Sequence, residues 1–337
     1  MMPASVRGRL FFGCRGPEGP RHVVGRILFH MIGRPFRGRH FGASDMATTA
    51  ITADMVKKLR DQTGAGMMDC KAALAEANGD FDEATTILRK KGLASAAKKA
   101  GRSTNEGLIG SRLSADRSTG ILVEVNCESD FVARTDDFRA LIQDVLNEIE
   151  KAGDAANDAW LQDPDGPVRK RVAATIGKLG ENMAVPRFVR YAGGYVGQYI
   201  HMGAKIGVQV EFGGVTSAIS AREEFKTLVK EIAQHIAAAD PSPRYLSRAE
   251  VPAQAIENEK AIYRAQMESS GKPANIIDKI VEGKLGSFYQ QVVLPEQPSI
   301  RDPKQTVQDA IAAVNKALGA SVSVTRFARL KVGEAAS

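Results

Sequence analysis

A chain of 337 residues, 43% hydrophobic but only 6% aromatic, is long enough for two or three domains with substantial cores. Its net charge of +7 sits almost wholly in residues 1–45, where eight Arg face two acids, Glu18 and Asp45; the 38 bases and 37 acids left in residues 46–337 give no bulk support to a phosphate-binding surface. Cys14, Cys70 and Cys127 lie far apart with no C-x-x-C, which argues against a disulfide framework or a zinc site and fits a reducing compartment, and no run of about 18 apolar residues is present to span a bilayer.

Residues 1–45, with eight Gly and four Pro, have the composition of a segment that does not pack. They read as a start codon assigned too far upstream, or as an Arg-rich, acid-poor transit peptide whose only hydroxylated Ser/Thr side chains are Ser5 and Ser44. The expected location is the cytoplasm, or the mitochondrial matrix if the extension is a transit peptide.

From residue 51 to 97 the pattern predicts three short helices. Thr52 caps the first, Gly64-Ala65-Gly66 separates it from a second over about 67–77, and Asp80 with Glu83 opens a third that ends at Gly92. Residues 94–101 read as a linker or short helix. Strands follow at 108–113 and 121–127, then helices over 136–152 and from Pro167 to about Gly180. Three strands at 183–192, 195–202 and 206–212 precede a helix over 225–239. Residues 252–285 predict two helices in an antiparallel hairpin broken at Ser270-Gly271-Lys272-Pro273, and the tail gives a helix at 306–318 and a strand at 322–330. The class is α+β. The order of strands and then a long helix occurs twice, over 108–152 and 183–239, which suggests a duplicated fold without a residue-level repeat.

Few residues suggest chemistry. Gly64-Ala65-Gly66-Met67-Met68 lacks the Gly-Lys-Ser/Thr ending of a phosphate loop and no strand precedes it, so it reads as a helix–helix turn; of the adjacent Met67 and Met68, one is expected to face outward. His201 ends a strand before glycine and reads as structural or merely exposed, and Lys98-Lys99-Ala100-Gly101-Arg102 as a solvated linker. The most informative stretch is Asn126 to Arg134, a strand-to-helix corner that presents Asp130 and Phe131. Locally the pair is either an N-cap aspartate with a staple-like aromatic or a short probe offered to another protein. No nucleophile, base or metal constellation is visible.

At these residues the chain resembles the bacterial elongation factor Ts family, the guanine-nucleotide exchange factors for elongation factor Tu. The resemblance is carried by Thr63-Gly64-Ala65-Gly66-Met67-Met68-Asp69-Cys70-Lys71, Glu76-Ala77-Asn78-Gly79-Asp80, Val123-Glu124-Val125-Asn126-Cys127 and Asp130-Phe131-Val132-Ala133, and farther on by Lys178-Leu179-Gly180-Glu181-Asn182, Tyr199-Ile200-His201 and Gly271-Lys272-Pro273. It covers about 47–333 and omits the first 45 residues. It implies a ubiquitin-associated-type helical domain with linker at 46–100, a core N-subdomain at 101–194, and a core C-subdomain at 195–333 with a protruding coiled coil at about 252–287, then a tail at 334–337. Ser129, Asp130, Phe131 and Val132 would disturb the magnesium site of elongation factor Tu; Leu179 and His201 would be core contacts, and Arg60, Met67 and Met68 first-domain contacts. The expected partner is elongation factor Tu, GDP-bound or nucleotide-free, with no cofactor, no metal, no nucleic acid, no membrane and no covalent chemistry. Ser129 stands where the family more often has Thr, Ile300-Arg301 departs from an apolar contact pair, and the additional C-terminal helix of some relatives is not expected here. The competing expectations are an RNA-binding translation accessory, suggested by Lys98, Lys99 and Arg102, and an enzyme of unknown reaction.

Overall fold

A computed structural model describes residues 50–268 and 273–334; the expectations for residues 1–45, for the Gly271-Lys272 break and for the last three residues lie outside them. The described chain is a mixed α+β structure. Three helices, α1 (Ala53–Thr63), α2 (Met67–Glu76) and α3 (Phe81–Lys99), come first. A hairpin of β1 (Glu106–Leu113) and β2 (Thr119–Cys127) leads into α4 (Asp130–Ala133), α5 (Asp136–Ala152), α6 (Asp158–Gln162) and α7 (Pro167–Leu179), after which β3 (Met183–Ala192) completes an antiparallel sheet of order β1-β2-β3. A second hairpin, β4 (Tyr195–His201) and β5 (Ile206–Gly213), leads into α8 (Ser217–Ser220), α9 (Glu223–Ala238), α10 (Ala253–Glu268), α11 (Ala274–Val292) and α12 (Val307–Leu318), and β6 (Ser323–Lys331) completes the sheet β4-β5-β6. No helix among the described residues is long and apolar enough to cross a membrane.

The first three helices enclose Val56, Leu59, Cys70, Ala73, Leu74 and Ala84. Thr52 Oγ1 accepts from Met55 N, Asp80 Oδ1 accepts from Glu83 N, and Gly64 closes α1 at φ +66°, a backbone geometry suited to glycine. The third helix corrects the expected stop at Gly92: it runs on to Lys99, so most of the stretch read as a linker or short helix is its continuation. Gly92 is buried where α3 crosses α7, and a Cβ on Gly177 would come 3.2 Å from its Cα. The glycine allows a close helix crossing and does not end the helix.

The repeat also differs from expectation. β3 does not open the second half; it pairs with β2, Glu124 opposite Arg187. Once the strands are paired, a residue-level repeat is legible. From Ile109 to Ile149 each position corresponds to the one 87 residues on, as Glu124 to Glu211 and Phe138 to Phe225, and from α7 into β3 to the one 139 residues on, as Gly180 to Gly319 and Arg187 to Arg326. In each half the middle strand carries a buried glutamate whose carboxylate accepts from the arginine opposite it on the third strand (Arg187 Nε to Glu124 Oε2 2.7 Å; Arg326 Nε to Glu211 Oε2 2.7 Å), and each ladder is bulged there. Hydrogen bonds from Arg326 hold the Glu211 carboxyl below the ordinary range. A side chain on Gly110 would strike Ile142 of α5, and one on its counterpart Gly197 would strike Val229 of α9.

The two sheets meet through a reciprocal contact: Gly120 lies against Val196, and its counterpart Gly207 lies against Ile109, the counterpart of Val196. Gln198 and Gln209 bridge the sheets, Gln198 Nε2 to the carbonyls of Arg112 and Ile121 and Gln209 Nε2 to that of Gly120. These bonds satisfy amides that burial would otherwise penalise. The outer face of the first sheet packs on α5 and α7 around Val123, Val125, Phe138, Leu146 and Ile149; that of the second packs on α9 and α12 around Val210, Phe212, Phe225, Ile236 and Ile311. The offset grows by 52 positions between α9 and α12, and the additional chain holds α10 and α11, rooted on Val251, Val292 and Val293.

His235 of α9 is buried; its Nδ1 accepts from Ile300 N (3.3 Å), so Nε2 carries the proton donated to Gln297 Oε1 (2.8 Å). Burial lowers its pKa from the usual value. The unfolded chain therefore binds a proton at about pH 6.5 that the folded chain refuses until lower pH. Stability should be flat above that value and fall as pH drops below it, by at most about 1.4 kcal/mol per pH unit from this residue. Urea titrations at pH 7.5 and 5.5 check it; His235→Gln should remove that part of the pH dependence, and an unchanged slope would assign it elsewhere.

Candidate functional site

β2 ends on Cys127, which is buried; its Sγ donates to Ser129 O (3.1 Å), and burial pushes the thiol up to about 11, so it is neutral and unreactive at physiological pH. The chain then turns at Ser129, whose Oγ accepts from Val132 N (3.4 Å) and starts α4. Ser129, not Asp130, is the N-cap, so the local reading of Asp130-Phe131 as cap and staple does not hold. Val132 and Ala133 turn toward the core of the first half. Asp130 stands on the rim, its Oδ2 2.8 Å from Arg134 Nη2. Phe131 is 79% exposed. A free phenyl ring keeps its full hydration penalty, and burying it in a partner would stabilise the complex by about 1.5–3 kcal/mol.

The second half shows what this corner needs for folding. Thr216, the counterpart of Ser129, caps α8 by accepting from Ile219 N (3.3 Å), and Ile219 packs inward as Val132 does. At the positions of Asp130 and Phe131 it has Ser217 and Ala218. The fold thus makes the same turn without an acid or an aromatic.

Two carboxylates hold the first corner. Glu181, after α7, accepts from Ser129 N at Oε2 (3.0 Å) and from Ser129 Oγ at Oε1 (2.6 Å). Glu128 accepts from Asn182 N (2.6 Å) and Arg102 Nη1 (3.3 Å); the Asn182 amide first, then the guanidinium, lower its pKa. Neither glutamate was singled out from sequence. Their signal lies in the repeat, where the counterparts are Ala320 and Val215, and it needs the strand pairing to be seen.

Leu179 ends α7 and packs half-buried on the same core. His201 ends β4 with Nδ1 2.9 Å from the Tyr199 hydroxyl. Its turn is stitched to the first sheet: Ile109 N donates to Ala204 O (2.7 Å), and Lys205 Nζ donates to Glu106 Oε2 and Gly107 O. Glu106 pairs with Cys127, so the His201 turn and the corner share one end of that sheet. Met202 beside His201 is exposed, which sequence reasoning missed.

Arg60, Met67 and Met68 stand apart, around the α1–α2 turn. Arg60 is exposed, and both methionines face outward at 55% and 75% where one was expected, because they are the first two residues of α2 and precede its first inward side chain, Cys70. That turn meets the first half through Lys178: Gly64 lies against its ammonium, which donates to Asp137 Oδ1 (2.6 Å). Among the described residues no group of three His, Cys, Asp or Glu is placed to hold a metal ion. The surface can dock a partner with an exposed ring and a flanking carboxylate.

The profile of the family described as Elongation factor TS matches residues 128–334. Curated relatives named Elongation factor Ts include those of Trichlorobacter lovleyi (43% identical over 292 residues, covering 85% of this chain and 93% of the relative), Aquifex aeolicus (42%, 84% and 98%) and Lawsonia intracellularis (39%, 85% and 99%). With a matched profile beginning inside the corner and relatives aligned over nearly their whole length, the chain belongs to the elongation factor Ts family.

Proposed function

We propose that this protein binds elongation factor Tu, GDP-bound or nucleotide-free, and speeds GDP release by wedging Phe131 and Asp130 beside the partner's magnesium and phosphate site. Magnesium tolerates little departure from octahedral geometry, so a ring that displaces backbone there, or a carboxylate that competes for its ligands, weakens the nucleotide with no bond made or broken. By linkage, GDP weakens the partner complex by the same factor. Ser129 and Val132 set the turn, Leu179 and His201 extend the contact, and Arg60, Met67 and Met68 form a separate first-domain contact. In the same reading α1–α3 are a ubiquitin-associated-type unit within 46–100, the subdomains are 101–194 and 195–333, and α10–α11 form a coiled coil.

The observation that carries the proposal is the exposure of Phe131 at a turn that the second half builds with Ser217 and Ala218. The test is release of a fluorescent GDP from elongation factor Tu. The full chain and residues 46–337 should accelerate it to the same extent; no acceleration by either sinks the reading, and loss on deleting residues 1–45 would place the extension within the working surface.

A further inference from the structure

Building on that reading, we infer that Glu181 is a positioning residue for Phe131: its carboxylate grips the cap of α4 and fixes the direction in which the ring is presented.

The geometry is that of a two-pronged clamp. One oxygen of Glu181 takes the Ser129 amide and the other takes its hydroxyl, while the same hydroxyl accepts from Val132 N. Ser129 thereby has its backbone N–H and its side chain tied to the chain beyond α7, 52 residues away in sequence. The α4 helix has only four residues and cannot hold its own orientation, since one hydrogen-bonded turn barely offsets the ordering it requires. An exposed ring on so short a turn sweeps a wide arc unless the turn is anchored. Charge-assisted hydrogen bonds to a carboxylate are the stronger kind, and two on one residue fix a direction as well as a distance.

The repeat supplies an internal control. The second half keeps the cap, the inward apolar residue and a glycine that ends α12 as Gly180 ends α7 (Thr216, Ile219, Gly319), yet has Ala320 where the first half has Glu181. The clamp occurs in the half that carries the acid and the ring and is absent from the half that carries Ser217 and Ala218. Folding of the corner therefore does not require a carboxylate at this position. What Glu181 adds is constraint on the segment whose exposed end is Phe131.

The experiment is a cycle of Glu181→Ala against Asp130→Ser with Phe131→Ala in the full chain, read by GDP release from elongation factor Tu and by hydrogen–deuterium exchange over residues 128–134. Glu181→Ala should slow the accelerated release about tenfold to a hundredfold, the scale of losing charge-assisted hydrogen bonds, and should speed amide exchange in that segment. Glu181→Gln, which keeps an acceptor oxygen, should recover part of both. In the Asp130→Ser/Phe131→Ala background, read at higher factor concentration, Glu181→Ala should add no further loss. Full activity of Glu181→Ala beside an inactive Phe131 variant overturns the clamp and leaves the exchange reading standing. An equal loss in both backgrounds also overturns it, because Glu181 would then act through another contact. Full activity of the Asp130→Ser/Phe131→Ala chain overturns the exchange reading itself. Should circular dichroism show Glu181→Ala unfolded, the cycle is run with Glu181→Gln, and additivity there overturns the inference.

Discussion

Replacing Asp130 with Ser and Phe131 with Ala, the residues that stand at 217 and 218, is expected to remove most of the acceleration of GDP release while leaving the fold intact. Burying a phenylalanine stabilises a complex by about 1.5–3 kcal/mol, and a hydrogen bond to a charged group adds about 1.5–3 kcal/mol. At about 1.4 kcal/mol per tenfold change in rate, loss of both terms slows exchange by about a hundredfold or more. Stability should move little, within about 0.5 kcal/mol, because Phe131 is exposed and, among the described residues, Asp130 pairs with a surface arginine. Stopped-flow release with a thermal melt reads both. A double variant that melts normally and exchanges at the native rate would return the corner to a purely structural role.

The largest loss of stability is expected from Arg187→Met. Glu124 is 1% exposed and has two partners for its carboxylate, Arg187 Nε (2.7 Å) and Gly333 N (2.9 Å). Removing the guanidinium leaves a buried charge with a single amide, which costs about 3–5 kcal/mol. For a chain of this size that lowers the melting temperature by about 5–8 °C. Arg326→Met should cost less, because Arg326 is itself half exposed, so water reaches the vacated site, and Thr325 Oγ1 still donates to Glu211 Oε2. Adding Glu124→Gln to Arg187→Met should restore part of the loss by removing the charge. A melt of Arg187→Met within 1–2 °C of the native chain would show that the pair contributes little.

Local rules made much of this legible. Thr52 and Asp80 cap helices where a hydroxyl or carboxylate precedes an apolar period, and the stripe Phe138, Leu141, Ile142, Val145 and Ile149 forms the buried face of α5. The errors arose where a distant partner decides. Gly92 looks like a helix stop until Gly177 is seen against it. β3 follows β2 by more than 50 residues and precedes β4 by three, so chain order grouped it with the wrong sheet. At the corner, the acid beside the aromatic drew the cap assignment away from Ser129, the better hydroxyl cap one residue earlier. Glu181 was visible only as part of a matching string, because the bonds that make it a clamp join two segments that sequence spacing does not connect.

Leu330 of β6 completes the small apolar seam with Ile109 and Leu122 between the sheets, and the Gly333 amide serves the second oxygen of Glu124 across 209 residues of chain. On the ribosome, β1 and β2 emerge long before either. Even after β4 and β5 have covered most of its inner face, the nascent first sheet therefore waits with one end of that seam open and Glu124 short of an amide until translation reaches β6. Circular permutants that deliver β6 early would shorten that wait.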